Sequence, residues 1–352
     1  MTTPAPATAP SGGRGWGRLV IALLGIVLIP QIAAIVVPVT RSMLLVLPAL
    51  GALMFAGWVA GGSMRMAVAW SVVTMVAVAW PPSASAFDAV ERGWALTLSA
   101  LFGVVVLRRV RRQTDGTFLA PALLAIGVAV VGALAIILLT QGGGSHLAGL
   151  LQAEYHDRLE RPIAVWEEYF ASKEWTEAAA KSPAMAEFGI DFLSQLRALP
   201  ALALAYARVA PAMLALESLA ALALAWAIYH RLNRRPLGAP LGRLRDFRFS
   251  DHLVWGMVVG FVLLVLPGVE SGLLLGSNLL VFFGALYALR GLGVLAWFVK
   301  PGRAATVLLV LASLVAFPIV VPALLAAALG LGLGDTWLDW RRRARPSPQS
   351  SE

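Results

Sequence analysis

The sequence predicts an all-α fold: a polytopic transmembrane helical bundle of about eight spans, with a proline-broken ninth apolar segment. Three observations predict it. Of 352 residues, 59% are hydrophobic and 13% are charged, against the roughly 25% charged residues of a soluble domain. Several stretches approach or exceed the roughly 18 apolar residues that mark a membrane-crossing helix. These runs are apolar on every side, whereas the strand of a transmembrane barrel alternates polar and apolar residues.

Residues 1–13 are rich in Pro, Thr, Ala and Ser, the composition of a disordered tail. Arg14 and Arg18 precede the first apolar run, which extends to about Pro38 with no small-residue cleavage site after it. An uncleaved span with a cytoplasmic N-terminus is expected. Spans are expected near 18–38, 43–60, 63–80, 93–108, 119–140, 208–230, 253–268 and 273–299, and the ninth apolar segment near 304–333. The chain then divides into the tail 1–13, a first helical group 14–140, an extracytoplasmic segment 141–207 with short amphipathic helices, a second helical group 208–333, and a cytoplasmic interfacial tail 334–352.

The net charge of +9 does not point to nucleic acid, because the arginines cluster at the ends of apolar runs. "RRVRR" carries Arg108, Arg109, Arg111 and Arg112, and 231–251 carries six arginines. Both suit the cytoplasmic side. Residues 141–200 hold nine acidic and five basic residues and suit the outside. In that segment Ser182 and Pro183 spell a helix start. Leu147, Leu150, Leu151 and Leu159 form an incomplete amphipathic pattern, and Trp166, Tyr169, Phe170 and Trp175 are expected at headgroup level.

Alternation from an inside N-terminus holds through eight spans. The ninth segment contains Pro318 and Pro322, which cost helix hydrogen bonds. It is expected to break or re-enter, return the C-terminus to the cytoplasm and pack against the bundle. Small residues four apart (Ala52, Ala56 and Ala60; Ala125, Ala129 and Ala133; Gly256 and Gly260; Gly272 and Gly276) allow close helix approach.

Two ionisable residues fall in the apolar zone, Glu217 and Arg290. Such residues are functional candidates by default. At 1.5 Å rise per residue, Glu217 lies roughly 13 Å and Arg290 roughly 25 Å from the outer ends of their spans, so they are not expected to pair. Arg290 is read as snorkelling to the inner headgroups, with an ion pair or interface as the other role. Glu217, Asn278 and Ser271 are candidate substrate-binding groups, with Gln31 a further polar group in the apolar zone.

No catalytic constellation, cofactor motif or phosphate loop is present, so an enzyme is not expected, and any ATPase that powers the protein is a separate chain. There are no cysteines. His156 and Glu160, one helical turn apart, fall short of the three or four ligands of a metal site.

The stretch "GLGDTWLDWRRR" at 332–343 reads as an interfacial stop. Gly334 suits a left-handed helix cap, Asp335 an N-cap, and Asp339 an ion pair with Arg343 one turn on. Trp337 and Trp340 suit the interface, and Arg341, Arg342, Arg343 and Arg345 the cytoplasmic headgroups. Asp335 and Asp339 would repel unless an arginine lies between them; a clamp onto the arginine-rich loop 231–248 would supply one.

This stretch, with "GRLRDFRFSDHLVWG" and "LYALRGLGVLAWFVK", resembles the YybS-like family of bacterial multi-pass membrane proteins of unknown function. The resemblance covers most of the chain and is sharpest over 208–343. It implies a bacterial cytoplasmic-membrane protein, with glutamine expected where this chain has Arg290. In architecture the family is distantly similar to substrate-binding membrane subunits of energy-coupling-factor transporters and to rod-shape proteins of the MreD type. Substrate binding or small-molecule transport within a larger complex, with other membrane subunits or a separate ATPase, is one expectation. A non-transporting scaffold or envelope-assembly protein is the other.

Overall fold

The computed structural model describes residues 43–79, 86–112, 117–140, 143–266, 270–299 and 317–343. The expected first span with Gln31, and residues 304–316 of the ninth segment, lie outside the described residues. Helices dominate, and no strand occurs among the described residues. In chain order they are α1 (Met43–Val59), α2 (Met64–Ala79), α3 (Ala86–Arg111), α4 (Leu119–Leu139), α5 (Gly143–Ala171), α6 (Lys173–Lys181), α7 (Pro183–Ala198), α8 (Ala203–Leu232), α9 (Val254–Val265), α10 (Glu270–Val299), α11 (Phe317–Leu338) and α12 (Trp340–Arg343). Within them, Asp88–Arg111, Leu119–Ile137, Ala207–Leu232 and Gly272–Val299 are long and apolar enough to cross a membrane. Shorter apolar helices cover Leu45–Val59, Met64–Ala79, Asp251–Val265 and Pro322–Leu338.

The chain forms two compact units, Met1–Pro200 with Ala220–Pro240, and Ala201–Leu219 with Leu241–Glu352. In the first unit, α1 packs on α2 and α3. Small residues make this possible. A Cβ on Gly103 would meet the Ala52 side chain at 3.1 Å, and the Thr74 hydroxyl donates to the Leu47 carbonyl at 3.0 Å. The core then fills with large side chains. Phe102, Phe118 and Trp226 form a ring triad with centroids 6.0 Å apart. Trp226 Nε1 donates to the Ala239 carbonyl at 3.0 Å, and the Leu237 amide donates to the Tyr229 hydroxyl at 3.2 Å. The residues after α8 are thereby tied back onto it. Ala56, Ala125 and Ala129 are buried, so those small residues serve packing within the chain. On α2, Met64, Val68, Val72, Met75 and Val76 are exposed, an apolar stripe suited to lipid.

Helix α5 is one 29-residue helix rather than a series of short ones. Helix α7 starts as its sequence signals: Met185 and Ala186 donate to the Ser182 carbonyl, and Pro183 occupies the first helical position, where its missing N–H costs nothing. The aromatics of this segment pack on one another. Phe170 lies 4.6 Å from Trp175, and Trp166 5.0 Å from Phe192, while Gly189 leaves room for the Trp175 ring. Trp166, Phe170 and Trp175 are thus a small core joining α5, α6 and α7, whereas Tyr169 stays exposed.

In the second unit, α9 and α10 approach through Gly260 and Gly276, where a Cβ on Gly276 would lie 2.7 Å from the Gly260 carbonyl. Helices α10 and α11 meet still more closely. A Cβ on Gly291 would strike the Ala328 carbonyl, and one on Gly332 the Tyr287 carbonyl, so neither position admits a side chain without parting the backbones. Helix α11 runs unbroken from Phe317 to Leu338 with Pro322 inside it. Its prolines fall near the start, where few helix hydrogen bonds are at stake, and the expected break does not occur within 317–338.

Candidate functional site

The second unit gathers charge at one place. Arg290 on α10 and Asp335 on α11 are held side by side because Gly291 and Gly332, their near neighbours, let the two helix backbones touch. Arg290 Nε donates to Asp335 Oδ2 at 3.0 Å, and Nη2 to the Asp335 carbonyl at 3.2 Å. Arg290 Nη1 donates to Asp251 Oδ1 at 2.6 Å. From the other side, Arg341 Nη2 reaches the same Asp335 Oδ2 at 2.7 Å. The second Arg341 nitrogen, Nη1, donates to the carbonyls of Arg245 at 3.0 Å and Phe247 at 3.2 Å. A fourth link joins Arg248 Nη2 to Asp339 Oδ1 at 2.7 Å.

Burial grades these contacts. The side chains of Asp335, Arg341 and Arg290 are 0%, 2% and 5% exposed, and Asp251 is 60% exposed. Arg248 and Asp339 are 44% and 37% exposed. The two buried guanidiniums are balanced by the buried Asp335 and the exposed Asp251, the pairing that buried charge requires. The Phe249 ring covers the Arg290 guanidinium, with Cζ 5.4 Å from its centroid, and Phe249 packs on Tyr287 at 5.0 Å. The result is a clamp joining three chain regions: the loop 241–253, the middle of α10, and the end of α11 with α12.

Several sequence expectations are corrected here. Arg290 does not snorkel. It is buried, and its guanidinium is spent on two aspartates and a carbonyl. Gly334 does not cap the helix, and Asp335 does not start a new turn, because α11 continues through both to Leu338. The left-handed residue is Asp339, with φ 38°, a conformation that aspartate adopts more readily than most residues. Gly334 instead seats the Trp340 ring, 3.5 Å from where its Cβ would stand. Asp339 meets Arg343 through its carbonyl, which accepts from the Arg343 amide at 3.1 Å, while its carboxylate goes to Arg248. Trp337 is 68% exposed, and Arg342 and Arg343 are also exposed.

The remaining candidates lie elsewhere. Asn278 is committed to helix backbone. The Ala212 amide donates to its Oδ1 at 2.8 Å, and its Nδ2 donates to the Arg208 carbonyl at 2.7 Å. Residues 208 and 212 are the pair that an α-helix bonds to each other, and Pro211 stands between them. The amide therefore bridges a helix turn that Pro211 perturbs. Glu217 is half-buried one turn and more beyond Pro211. The Ser271 side chain lies outside the described residues. In the first unit, a cavity of about 650 Å³ is lined by Ala52, Phe55, Thr74, Met75, Ala100 and Val104, among others. It is almost wholly apolar.

Asp251 is a clamp residue that sequence reading missed, and Arg341, expected at the cytoplasmic headgroups, is instead buried on Asp335. The signal was present: a buried arginine needs a carboxylate, and 243–251 contains Asp246 and Asp251.

The chain matches the family model described as Predicted membrane protein (DUF2232) over residues 19–336. The chain belongs to this family. No curated protein and no solved structure matches it. In this DUF2232 protein the matched region ends beside the clamp, including Arg290, Asp251 and Asp335 and stopping before Arg341.

Proposed function

We propose that this integral membrane protein is an assembly or scaffold component whose working part is the clamped module of loop 241–253 and the α11–α12 end, held against a partner in the same membrane. The observation that carries this reading is the convergence of two buried guanidiniums on Asp335 Oδ2. A buried ionic group of this kind adds little net stability over an apolar core but fixes one arrangement. Here the arrangement it fixes is that of an arginine-rich surface. The charge distribution along the chain supports a cytoplasmic position for that surface and for the N-terminus, in a bacterial inner membrane as the YybS-like resemblance implies.

The test is gentle purification of the full chain from native membranes, with mass spectrometry of what accompanies it, in parallel with Asp335→Asn. Envelope or division proteins that accompany the parent and are lost from the variant support the proposal. A co-purifying ATPase with a second membrane subunit, retained by the variant, contradicts it.

That outcome belongs to a second reading, a substrate-binding or transport subunit related in architecture to the energy-coupling-factor type. Its support is the Pro211 turn of the continuous helix α8, where Asn278 takes up the backbone amide of Ala212 and the carbonyl of Arg208; transporters place ligands where such backbone groups of a membrane helix are released. On this reading Glu217→Gln impairs ligand-linked activity while leaving the folded protein intact.

A further inference from the structure

We propose that the outer rim of the clamp is a binding surface for anionic phospholipid headgroups. The proposal rests on the clamp described above and goes beyond a general contact with lipid.

Within the clamp, Arg290 and Arg341 are balanced by Asp335 and the exposed Asp251, and Arg248 by Asp339, so the net positive charge of this module comes from the other arginines of its rim. Arg243, Arg342 and Arg343 are exposed and have no ion-pair partner among the described residues. Among the described residues, Arg245 pairs only with the exposed Asp246, at 3.7 Å. The clamp brings these arginines together: Arg341 bonds the Arg245 and Phe247 carbonyls, which ties the chain carrying Arg342 and Arg343 to the 243–247 turn.

Interleaved with them are apolar side chains. Leu241, Leu244, Trp255, Trp337 and Leu338 are 41%, 46%, 63%, 68% and 41% exposed. Exposed tryptophans at the ends of apolar helices mark headgroup depth, and Trp255 begins α9 while Trp337 ends α11. A soluble acidic partner would be matched by the arginines alone. Arginines mixed with exposed Trp and Leu, directly at helix ends, match an interface that is apolar on one side and anionic on the other.

The probe is 1:1 phosphatidylglycerol and phosphatidylcholine of the same acyl chains, offered to the purified full chain in detergent and read by native mass spectrometry as the ratio of bound lipids. The parent is expected to prefer phosphatidylglycerol. Arg342→Gln with Arg343→Gln should lower that preference by roughly 25-fold, at about fivefold per arginine near an anionic headgroup. Arg342→Lys with Arg343→Lys should keep most of it. Arg111→Gln with Arg112→Gln, which removes two exposed arginines of the first unit, should leave it nearly unchanged. Helix content and unfolding temperature, measured alongside, should match the parent in all three.

The proposal is overturned if the parent shows no preference, if the rim variant keeps it, or if the Arg111 and Arg112 variant loses as much. A preference that survives rim neutralisation would leave an acidic protein as the better-matched occupant. The measurement uses purified chain and lipid alone, so its failure is separate from failure of the partner reading.

Discussion

The first unit and the second solve the same packing problem by different means. Around α1, α3 and the end of α8, shape decides: Gly103 admits Ala52, and Phe102, Phe118 and Trp226 close the remaining space. Around α10 and α11, glycines again bring backbones together, but the space beside them holds the charges of Arg290, Asp335 and Arg341, with the Phe249 ring over Arg290. An apolar core tolerates substitutions that conserve volume. An ionic one tolerates loss of a member poorly, since a buried charge then loses part or all of its pairing. The ionic contact of α10 and α11 is therefore more specific and more fragile than the ring core around Phe102 and Trp226.

The comparison can be broken most strongly at Asp335. Asp335→Ala leaves the buried Arg341 guanidinium without a carboxylate and Arg290 with only the exposed Asp251, and is expected to cost about 3–5 kcal/mol, seen as a large drop in the unfolding midpoint in detergent. A loss below about 1 kcal/mol would mean that water already shares the cluster. The combination Arg290→Met, Asp335→Leu and Arg341→Met sharpens the point. It should recover much of that stability, because apolar replacement of a whole buried ionic group is often neutral or better.

In the first unit, Trp226→Leu removes ring packing and the hydrogen bond to Ala239, and about 2–3 kcal/mol is expected. Trp226→Phe should cost less, keeping most of the ring volume. Next comes the helix contact that both Arg290 and Asp335 depend on. Gly332→Val must part α11 from the Tyr287 carbonyl, at about 1–3 kcal/mol, and should also loosen the clamp. The smallest effect belongs to the exposed pair. Arg248→Gln should cost about 0–1 kcal/mol, and high salt should abolish the difference from the parent. The Asp335 effect should persist in the same salt.

Much of the fold was legible in the sequence, since hydropathy fixes where an apolar helix must lie. Helix α4 was expected at 119–140 and is found at Leu119–Leu139. The reading failed where helices carry charge. Helix α3 begins at Ala86, not near 93, because its first turns hold Asp88 and Glu91, both buried, and Arg92, which donates to the Val78 carbonyl at 2.8 Å. Hydropathy scores those residues as outside. The clamp was legible only in half. The two aspartates of the C-terminal stretch did signal a need for arginine, and Arg248 does meet Asp339 from the arginine-rich loop. The arginines on Asp335 come from α10, 45 residues earlier, and from Arg341, six residues later. No periodicity links those positions; only the approach of α10 and α11 does.

The most direct test of the clamp uses the absence of native cysteine. Spin labels on Leu244→Cys and Arg342→Cys, both exposed, would report the distance between loop and tail in reconstituted membranes by pulsed electron resonance. The account predicts one short, narrow distance distribution, which broadens and lengthens when Asp335→Asn is added. A distribution that is already broad in the parent, or one that Asp335→Asn leaves unchanged, would contradict it.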